Sequence, residues 1–210
     1  MSLSIAATLA LAAQCAPDIA PETLLSVVHV ESRFNPLAIG VNGGSAIRIS
    51  PSTRAEAIAQ ASSLIAAGRN VDLGLAQINS RNLAWLGLTV EEAFDPCANL
   101  AAAARVLQDG YRRAAPAQSG PQAALRTAFS YYNTGRATRG FTNGYVGKVM
   151  RAAGHVVPAI RAAADEGFGQ VAADAVTPSA PTPPAWDVFA SRQVSGFVIR
   201  PTSSTTGALQ

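Results

Sequence analysis

Apolar residues recur at helical spacing over most of residues 24–164, whereas the alternation expected of strands is scarce. Glycine or proline separates the helical stretches. The pattern predicts helices over residues 24–34, 53–68, 77–86, 90–94, 97–114, 121–132 and 145–164. A small hairpin is possible over residues 39–50, where Asn42-Gly43-Gly44 has turn chemistry. We therefore expect a mainly α fold.

The helix that begins near residue 21 places a carboxylate on its apolar face. Leu24, Val27 and Val28 form a stripe at helical spacing. Glu31 continues that stripe into the interior, whereas Ser26 lies on another face. The helix is expected to end near residue 35, because residue 36 is proline.

Its position gives Glu31 the properties of a general acid. Apolar surroundings and the negative end of the helix dipole both disfavour the ionised form. The predicted pKa is therefore raised, as an acid catalyst needs near neutral pH. A structural glutamate that caps a turn or pairs with Arg33 is the alternative.

Two more motifs follow Glu31-Ser32: residues 74–79 read Gly-Leu-Ala-Gln-Ile-Asn, and residues 131–135 read Tyr-Tyr-Asn-Thr-Gly. In this order, the three motifs resemble those of the soluble lytic transglycosylases, relatives of goose-type lysozyme, and in particular the branch that accompanies type IV secretion systems. The resemblance covers about residues 10–160. It implies a single lysozyme-like catalytic domain, which we place at residues 1–166.

The resemblance also implies a reaction on peptidoglycan. The β-1,4 bond between N-acetylmuramic acid and N-acetylglucosamine is cleaved without water, which leaves a 1,6-anhydromuramoyl end and opens the wall locally for assembly of the secretion system or for conjugation. Glu31 would act first as acid and then as base, with the substrate's 2-acetamido group assisting, so that a second carboxylate is not needed. By the same resemblance, the Tyr132 hydroxyl would hydrogen-bond Glu31. The remaining residues expected to bind or orient substrate are Ser32, Gln77, Asn79 and Asn133.

Other roles stay open for several of these residues. Gln77 and Asn133 are residue types that often serve turns and caps. Tyr131 stands where the family commonly has alanine, and it either belongs to the core, which is favoured, or stacks on a sugar. Ala76 replaces the family's usual methionine or glycine. Asp72 is expected to cap the next helix; if it reached the cleft instead, a hydrolytic muramidase would be credible.

The two cysteines, Cys15 and Cys97, suggest a compartment. The only histidines, His29 and His155, lack the spacing of a zinc site, so no metal is expected. With the family resemblance, a disulfide between the cysteines would suit an oxidising periplasm, and two buried thiols are the alternative. Residues 1–13 lack the positive start of a secretory signal and are too short to span a membrane, so they are expected to form the first helix of the domain.

The composition changes after about residue 167. Residues 176–184 are rich in proline, alanine, serine and threonine, which predicts a disordered linker. Two short apolar clusters follow, at residues 186–189 and 196–199. We interpret residues 167–210 as a tail that docks on a secretion-apparatus protein; a tail that packs back on its own domain is the alternative.

The net charge of +3 comes almost entirely from arginine, since Lys148 is the sole lysine. This charge suits attraction to the acidic stem peptides of peptidoglycan. The arginines are scattered, which argues against nucleic acid as a partner, although Arg33, Arg136 and Arg139 lie beside the motifs. No phosphate loop or nucleophile elbow is present, so no cofactor is expected. A weakly active wall-binding scaffold is the alternative outside the enzymes.

Overall fold

The structure is a computed structural model that describes residues 2–43 and 47–168, and the predicted tail docking segment lies outside these residues. The described part is mainly α and lysozyme-like. Its helices are α1 (Ile5–Cys15), α2 (Pro21–Ser32), α3 (Arg54–Ala66), α4 (Leu83–Leu86), α5 (Pro96–Ala114), α6 (Pro121–Thr134), α7 (Arg139–Thr142) and α8 (Tyr145–Phe168).

Local sequence signals explain where the long helices begin. Proline occupies the first turn of α2, α5 and α6, where its missing N–H has no helical partner to lose. Asp95 caps α5 by accepting a hydrogen bond from the backbone N–H of Ala98 at 2.8 Å. The predicted helices over residues 24–34, 53–68, 97–114, 121–132 and 145–164 are confirmed within a few residues. The first helix is confirmed as α1.

A four-stranded antiparallel sheet, in the order β2-β1-β3-β4, lies beside the helices. Its strands are β1 (Ile39–Val41), β2 (Ile47–Ile49), β3 (Val71–Leu73) and β4 (Ile78–Asn79). The predicted hairpin is confirmed as β1 and β2, with Gly40 opposite Arg48. In the second pairing, β3 places Asp72 opposite Gly40 on one side and Asn79 on the other.

Two predicted helices are wrong in large part. Residues 77–86 form β4, a 3-10 turn (Ser80–Asn82) and only one turn of α-helix, since Gln77 has a left-handed φ of 53° and the Asn79 side chain caps the 3-10 turn. Residues 90–94 form only a 3-10 turn at Glu92–Phe94, followed by the cap of α5. Short polar caps therefore override the helical apolar spacing in both stretches.

The core is built where α2 packs against α8 and α5 packs against α6, with α1 against α5. Leu24, Leu25, Val27 and Val28 of α2 are fully buried. Ser26 is buried as well, so the prediction that it lies outside the interior is wrong. Burial of its hydroxyl is tolerated because the hydroxyl donates a hydrogen bond to the Glu22 carbonyl oxygen at 2.6 Å.

Cys15 and Cys97 form a disulfide, with their Cα atoms 5.3 Å apart. The bond joins the end of α1 to the start of α5, across 82 residues of chain. Within the part of the chain that the structure describes, no helix is both long and apolar enough to cross a membrane.

Candidate active site

Glu31 lies in the last turn of α2, partly exposed to a cleft. The helix ends right after it, because Arg33 and Phe34 both adopt left-handed backbone conformations, with φ of 54° and 64°. Arg48 of β2 donates from Nη1 to the Glu31 carbonyl oxygen. The α2 end, where the predicted acid sits, is thus held by the hairpin.

Burial is the main reason that the pKa of Glu31 rises from 4.5 to about 7. The negative charge of Asp72 raises it further, while a hydrogen bond from Tyr145 and the charges of Arg48 and Lys148 lower it. A carboxyl group with this pKa is protonated in about half of the molecules at neutral pH. It is therefore able to give up a proton and also to take one back.

The hydrogen-bond partner of Glu31 is Tyr145, the first residue of α8, whose hydroxyl donates to Glu31 Oε1 at 2.5 Å. The prediction that Tyr132 makes this bond is wrong: the Tyr132 hydroxyl donates to the Ala76 carbonyl oxygen at 2.7 Å. Sequence reasoning missed Tyr145 because it lies outside the three motifs. The sequence predicted only that a helix begins at Tyr145, directly after Gly144, and gave no sign of a role in the site.

The second motif forms a tight turn between β3 and β4. Gly74 has a φ of 72°, and a Cβ there would lie 2.4 Å from the Ala93 carbonyl oxygen. Asn99 of α5, fully buried, holds the turn: its Nδ2 donates to the carbonyls of Leu73 and Ala93, and its Oδ1 accepts from the Ala76 N–H at 2.7 Å. Asn99 is a second supporting residue that the sequence analysis did not identify.

Gln77 lines the cleft but is largely committed to the protein. Its Nε2 donates to the carbonyl oxygens of Ala38 at 2.9 Å and Gly74 at 3.0 Å. Since both amide hydrogens have backbone acceptors, the nitrogen is not available to a sugar acetamido group. Gln77 thus joins the turn to the start of β1 and shapes the cleft floor.

Ser32 is buried and connects two of the three motifs. Its hydroxyl donates to the Leu75 carbonyl oxygen at 2.5 Å and accepts from the Asn35 N–H at 3.1 Å. This arrangement orients the Glu31 helix end relative to the Gly74 turn.

Asp72 reaches the cleft, so the prediction that it caps a helix is wrong. It lies in the middle of β3, and its oxygens accept from Asn42 Nδ2 at 2.8 Å and Asn79 Nδ2 at 2.6 Å. Burial raises its pKa, while these two hydrogen bonds lower it. Asn79 also accepts from the Arg81 N–H at 3.1 Å, so its role is to hold Asp72 and begin the next turn.

The third motif lies within α6, which ends at Thr134 with Gly135 as a left-handed cap, rather than in a loop. Asn133 is exposed on the cleft wall and accepts a hydrogen bond from Asn143 at 2.8 Å. Tyr131 is partly buried and packs against the core, as predicted, but it also lines the cleft. Of the three arginines beside the motifs, Arg139 lines the cleft and Arg33 and Arg136 do not.

These side chains surround one open cleft of about 730 Å³. Carboxylates, amides, arginines and aromatic rings share its lining, which is the mixture that binds polar sugars. The cleft brings together Glu31, Gln77, Asn79, Tyr132 and Asn133, and Ser32 lies buried behind them.

The structure is a mainly α, lysozyme-like domain with a protonatable glutamate in an open polar cleft, the arrangement expected of a glycan-cleaving domain. Residues 8–153 match the family "Transglycosylase SLT domain". The match covers more than half of the chain, which therefore belongs to this family.

The chain is also similar to curated proteins of two bacteria. The chain is 47% identical over 169 residues to "Type IV secretion system protein virB1" of Brucella suis biovar 1 (strain 1330), covering 75% of this chain and 71% of the relative. It is 43% identical over 151 residues to "Protein virB1" of Agrobacterium fabrum (strain C58 / ATCC 33970), covering 72% of this chain and 61% of that relative. No solved structure matches the chain.

Proposed function

We propose that this protein is a peptidoglycan lytic transglycosylase in which Glu31 serves as both acid and base. The observation that carries the proposal is a cleft glutamate whose pKa is raised to about 7 and whose carboxyl is oriented by Tyr145. Membership of the SLT family supports the same chemistry.

In the first step, protonated Glu31 gives its proton to the glycosidic oxygen as the bond to the anomeric carbon breaks. The carbonyl oxygen of the substrate's own acetamido group bonds to that carbon, so the protein need not supply a nucleophile. Tyr145 keeps its hydroxyl proton throughout, because burial and the neighbouring Glu31 charge raise its pKa well above the usual value. It stabilises the carboxylate that the step creates.

In the second step, ionised Glu31 takes the proton from the sugar's 6-hydroxyl. The 6-oxygen bonds to the anomeric carbon and displaces the acetamido oxygen, which yields the 1,6-anhydro ring. Glu31 is protonated again, and no water is consumed. The same bond from Tyr145 favours the carboxylate needed here, while burial favours the acid needed in the first step.

Asp72 has an electrostatic role in this proposal. Amide hydrogen bonds from Asn42 and Asn79 occupy its two oxygens, which disfavours attack on the substrate by the carboxylate. Its charge raises the pKa of Glu31 and thereby keeps the acid form available. Asn133, exposed on the wall, is the proposed amide contact for the substrate, with Gln77 and Asn79 shaping the site from behind.

We place this activity at the cell wall, in the service of a type IV secretion system, as the names of the relatives suggest. A periplasmic location agrees with the disulfide between Cys15 and Cys97, because disulfides persist in oxidising compartments. Residues 1–166 carry the catalytic domain and residues 167–210 the partner contact. Deleting residues 186–200 should abolish binding to a secretion-apparatus protein and leave glycan cleavage intact; unchanged binding would overturn the docking role.

Mass spectrometry of the products tests the reaction. Purified wild-type protein and Glu31→Gln are incubated with peptidoglycan, since glutamine keeps the shape and the Tyr145 acceptor but cannot give a proton. We expect 1,6-anhydromuramoyl ends from the wild type and none from the variant. Hydrated reducing ends would show hydrolysis instead and direct attention to Asp72. Full biological function in Glu31→Gln would favour a scaffold.

A further inference from the structure

One face of α5 forms part of the cleft. Asp109 and Gly110 lie three and four residues after Val106 and four and three residues before Arg113, so the four residues share a face of the helix, and all four line the cleft. We call these four residues the α5 wall. None of them belongs to the motifs that carry the proposed chemistry.

Gly110 brings α6 unusually close to this wall. A Cβ at Gly110 would lie 3.2 Å from the Ala128 carbonyl oxygen and 3.2 Å from the Tyr131 Cβ. The absent side chain lets Tyr131 lie directly against α5. As a result, the Arg113 guanidinium carbon lies 4.2 Å from the centre of the Tyr131 ring.

This stacking shows what Tyr131 does in the cleft. The arginine covers one face of the ring, so a sugar cannot stack on that face. The ring instead holds the Arg113 guanidinium in place through a cation–π contact. Because the side chain is already ordered, it loses less conformational entropy when it binds a ligand. Tyr131, the residue that departs from the family's usual alanine, is thus paired with Arg113.

Arg113 keeps hydrogen-bonding capacity for a ligand. Its nearest acidic neighbour, Asp109, is 3.6 Å away in a loose ion pair, and the Arg113 side chain is half exposed. A guanidinium has five N–H donors and matches a carboxylate with two parallel hydrogen bonds. Arg81 and Arg139 line the same cleft and add positive potential.

We propose that Arg113, held by Tyr131 on the α5 wall, binds a carboxylate of the peptide stem, so that the protein prefers glycan strands that carry stems. This inference rests on the proposed function, since it takes peptidoglycan as the ligand. The stem's free carboxylates suit the site because the lactyl carboxyl of the muramic acid is tied up in an amide wherever a stem is attached.

Binding in a Glu31→Gln background tests the inference without turnover. Calorimetry compares soluble glycan fragments with native stems and fragments whose stem carboxylates have been converted to amides. We expect amidation to weaken binding to Glu31→Gln about three- to fivefold at low salt, as for an exposed charge pair, and less at high salt. Adding Arg113→Gln should remove this difference, and adding Arg113→Lys should restore part of it.

Arg112→Gln is the matched control. Arg112 lies 3.8 Å from the same Asp109 but does not line the cleft, so its removal should leave the difference in place. Tyr131→Phe should preserve the difference, and Tyr131→Ala should reduce it. Circular dichroism checks that each variant is folded.

Three results would overturn the inference. The first is an amidation effect on binding that survives Arg113→Gln, and the second is removal of that effect by Arg112→Gln as well. The third is that fragments freed of their stems by an amidase bind through Arg113 as tightly as native fragments. The last result would assign the site to the lactyl carboxylate. Product analysis is a separate measurement. If wild-type protein yields 1,6-anhydro ends but the amidation effect on binding does not depend on Arg113, this inference alone is overturned. If the amidation effect depends on Arg113 but no 1,6-anhydro ends form, the proposed reaction alone is overturned.

Discussion

At the scale of single residues, the proton of Glu31 controls the proposed reaction. The first step needs the protonated acid, so kcat/KM should be constant below pH 6 and fall about tenfold per pH unit above the Glu31 pKa of about 7. A pH profile measured on soluble glycan fragments checks this. A basic limb centred near pH 4.5 would contradict a raised pKa.

Phenylalanine variants of Tyr145 and Tyr132 test which of the two tyrosines orients the Glu31 carboxyl group. Tyr145 donates to Glu31, which lowers the carboxyl pKa, whereas Tyr132 donates to the Ala76 carbonyl. Tyr145→Phe should therefore move the basic limb to higher pH and lower kcat about tenfold or more through lost orientation. Tyr132→Phe should leave the limb in place. A shift in Tyr132→Phe alone would reverse the assignment.

The same pKa shift makes a prediction about stability. Folding raises the pKa of Glu31 from 4.5 to about 7, so the folded state holds this proton more tightly and loses stability as pH rises through that window. Glu31→Gln lacks this loss. The stability of the variant relative to wild type should increase by about 1–3 kcal/mol between pH 4 and pH 8, measured by urea unfolding. A difference independent of pH would contradict the shift.

Sequence reasoning predicted the position of Glu31, the proposed acid, because helical spacing is short-range information. Glu31 continues the stripe of Leu24, Val27 and Val28, and the structure places it where that stripe ends. Its partner could not be located in this way. Tyr145 lies 114 residues further along the chain, and its contact depends on how α8 packs against α2.

At the scale of elements, the Gly74 turn decides where β3, β4 and Asn99 meet. Gly74→Ala would place a Cβ 2.4 Å from the Ala93 carbonyl oxygen and 2.6 Å from Asn99 Nδ2. Both residues are fully buried, and these two atoms are hydrogen-bonded to each other beneath the turn. We expect a loss of more than about 3 kcal/mol of unfolding free energy, together with loss of activity.

Gly87→Ala is the control for this prediction. Gly87 has a similar φ of 68°, but its Cβ would meet nothing within 4 Å. The control should cost only the left-handed backbone penalty of about 1–2 kcal/mol. Denaturant unfolding of both variants separates the clash from the backbone cost, and equal losses would show that the close approach at Gly74 is unimportant.

The elements themselves were predictable in proportion to their length. The long helices α5, α6 and α8 each have several turns of consistent apolar spacing and clear starts. The stretch from Gln77 to Leu86 does not, because side-chain caps and a left-handed residue act over one or two positions and outweigh the spacing. The strands β3 and β4 are two or three residues long, too short for a pattern to show.

At the scale of the whole molecule, one covalent bond links α1 to α5, across 82 residues of chain. The disulfide joins α1, which packs against α5 and α8, to the start of α5. Cross-linking over 82 residues restricts the unfolded chain strongly, so the Cys15→Ser/Cys97→Ser variant should lose about 2–4 kcal/mol of unfolding free energy.

A reducing agent provides the internal control for this last prediction. Reductant should lower the stability of the wild type toward that of the double variant and leave the variant unchanged. Neither cysteine lines the cleft, so folded variant protein should keep wild-type kcat and KM. A variant that is stable but inactive would mean that α1 positions the cleft as well as stabilising the domain. A double variant as stable as the oxidised wild type would show that helix packing alone holds α1 in place and would contradict the predicted loss.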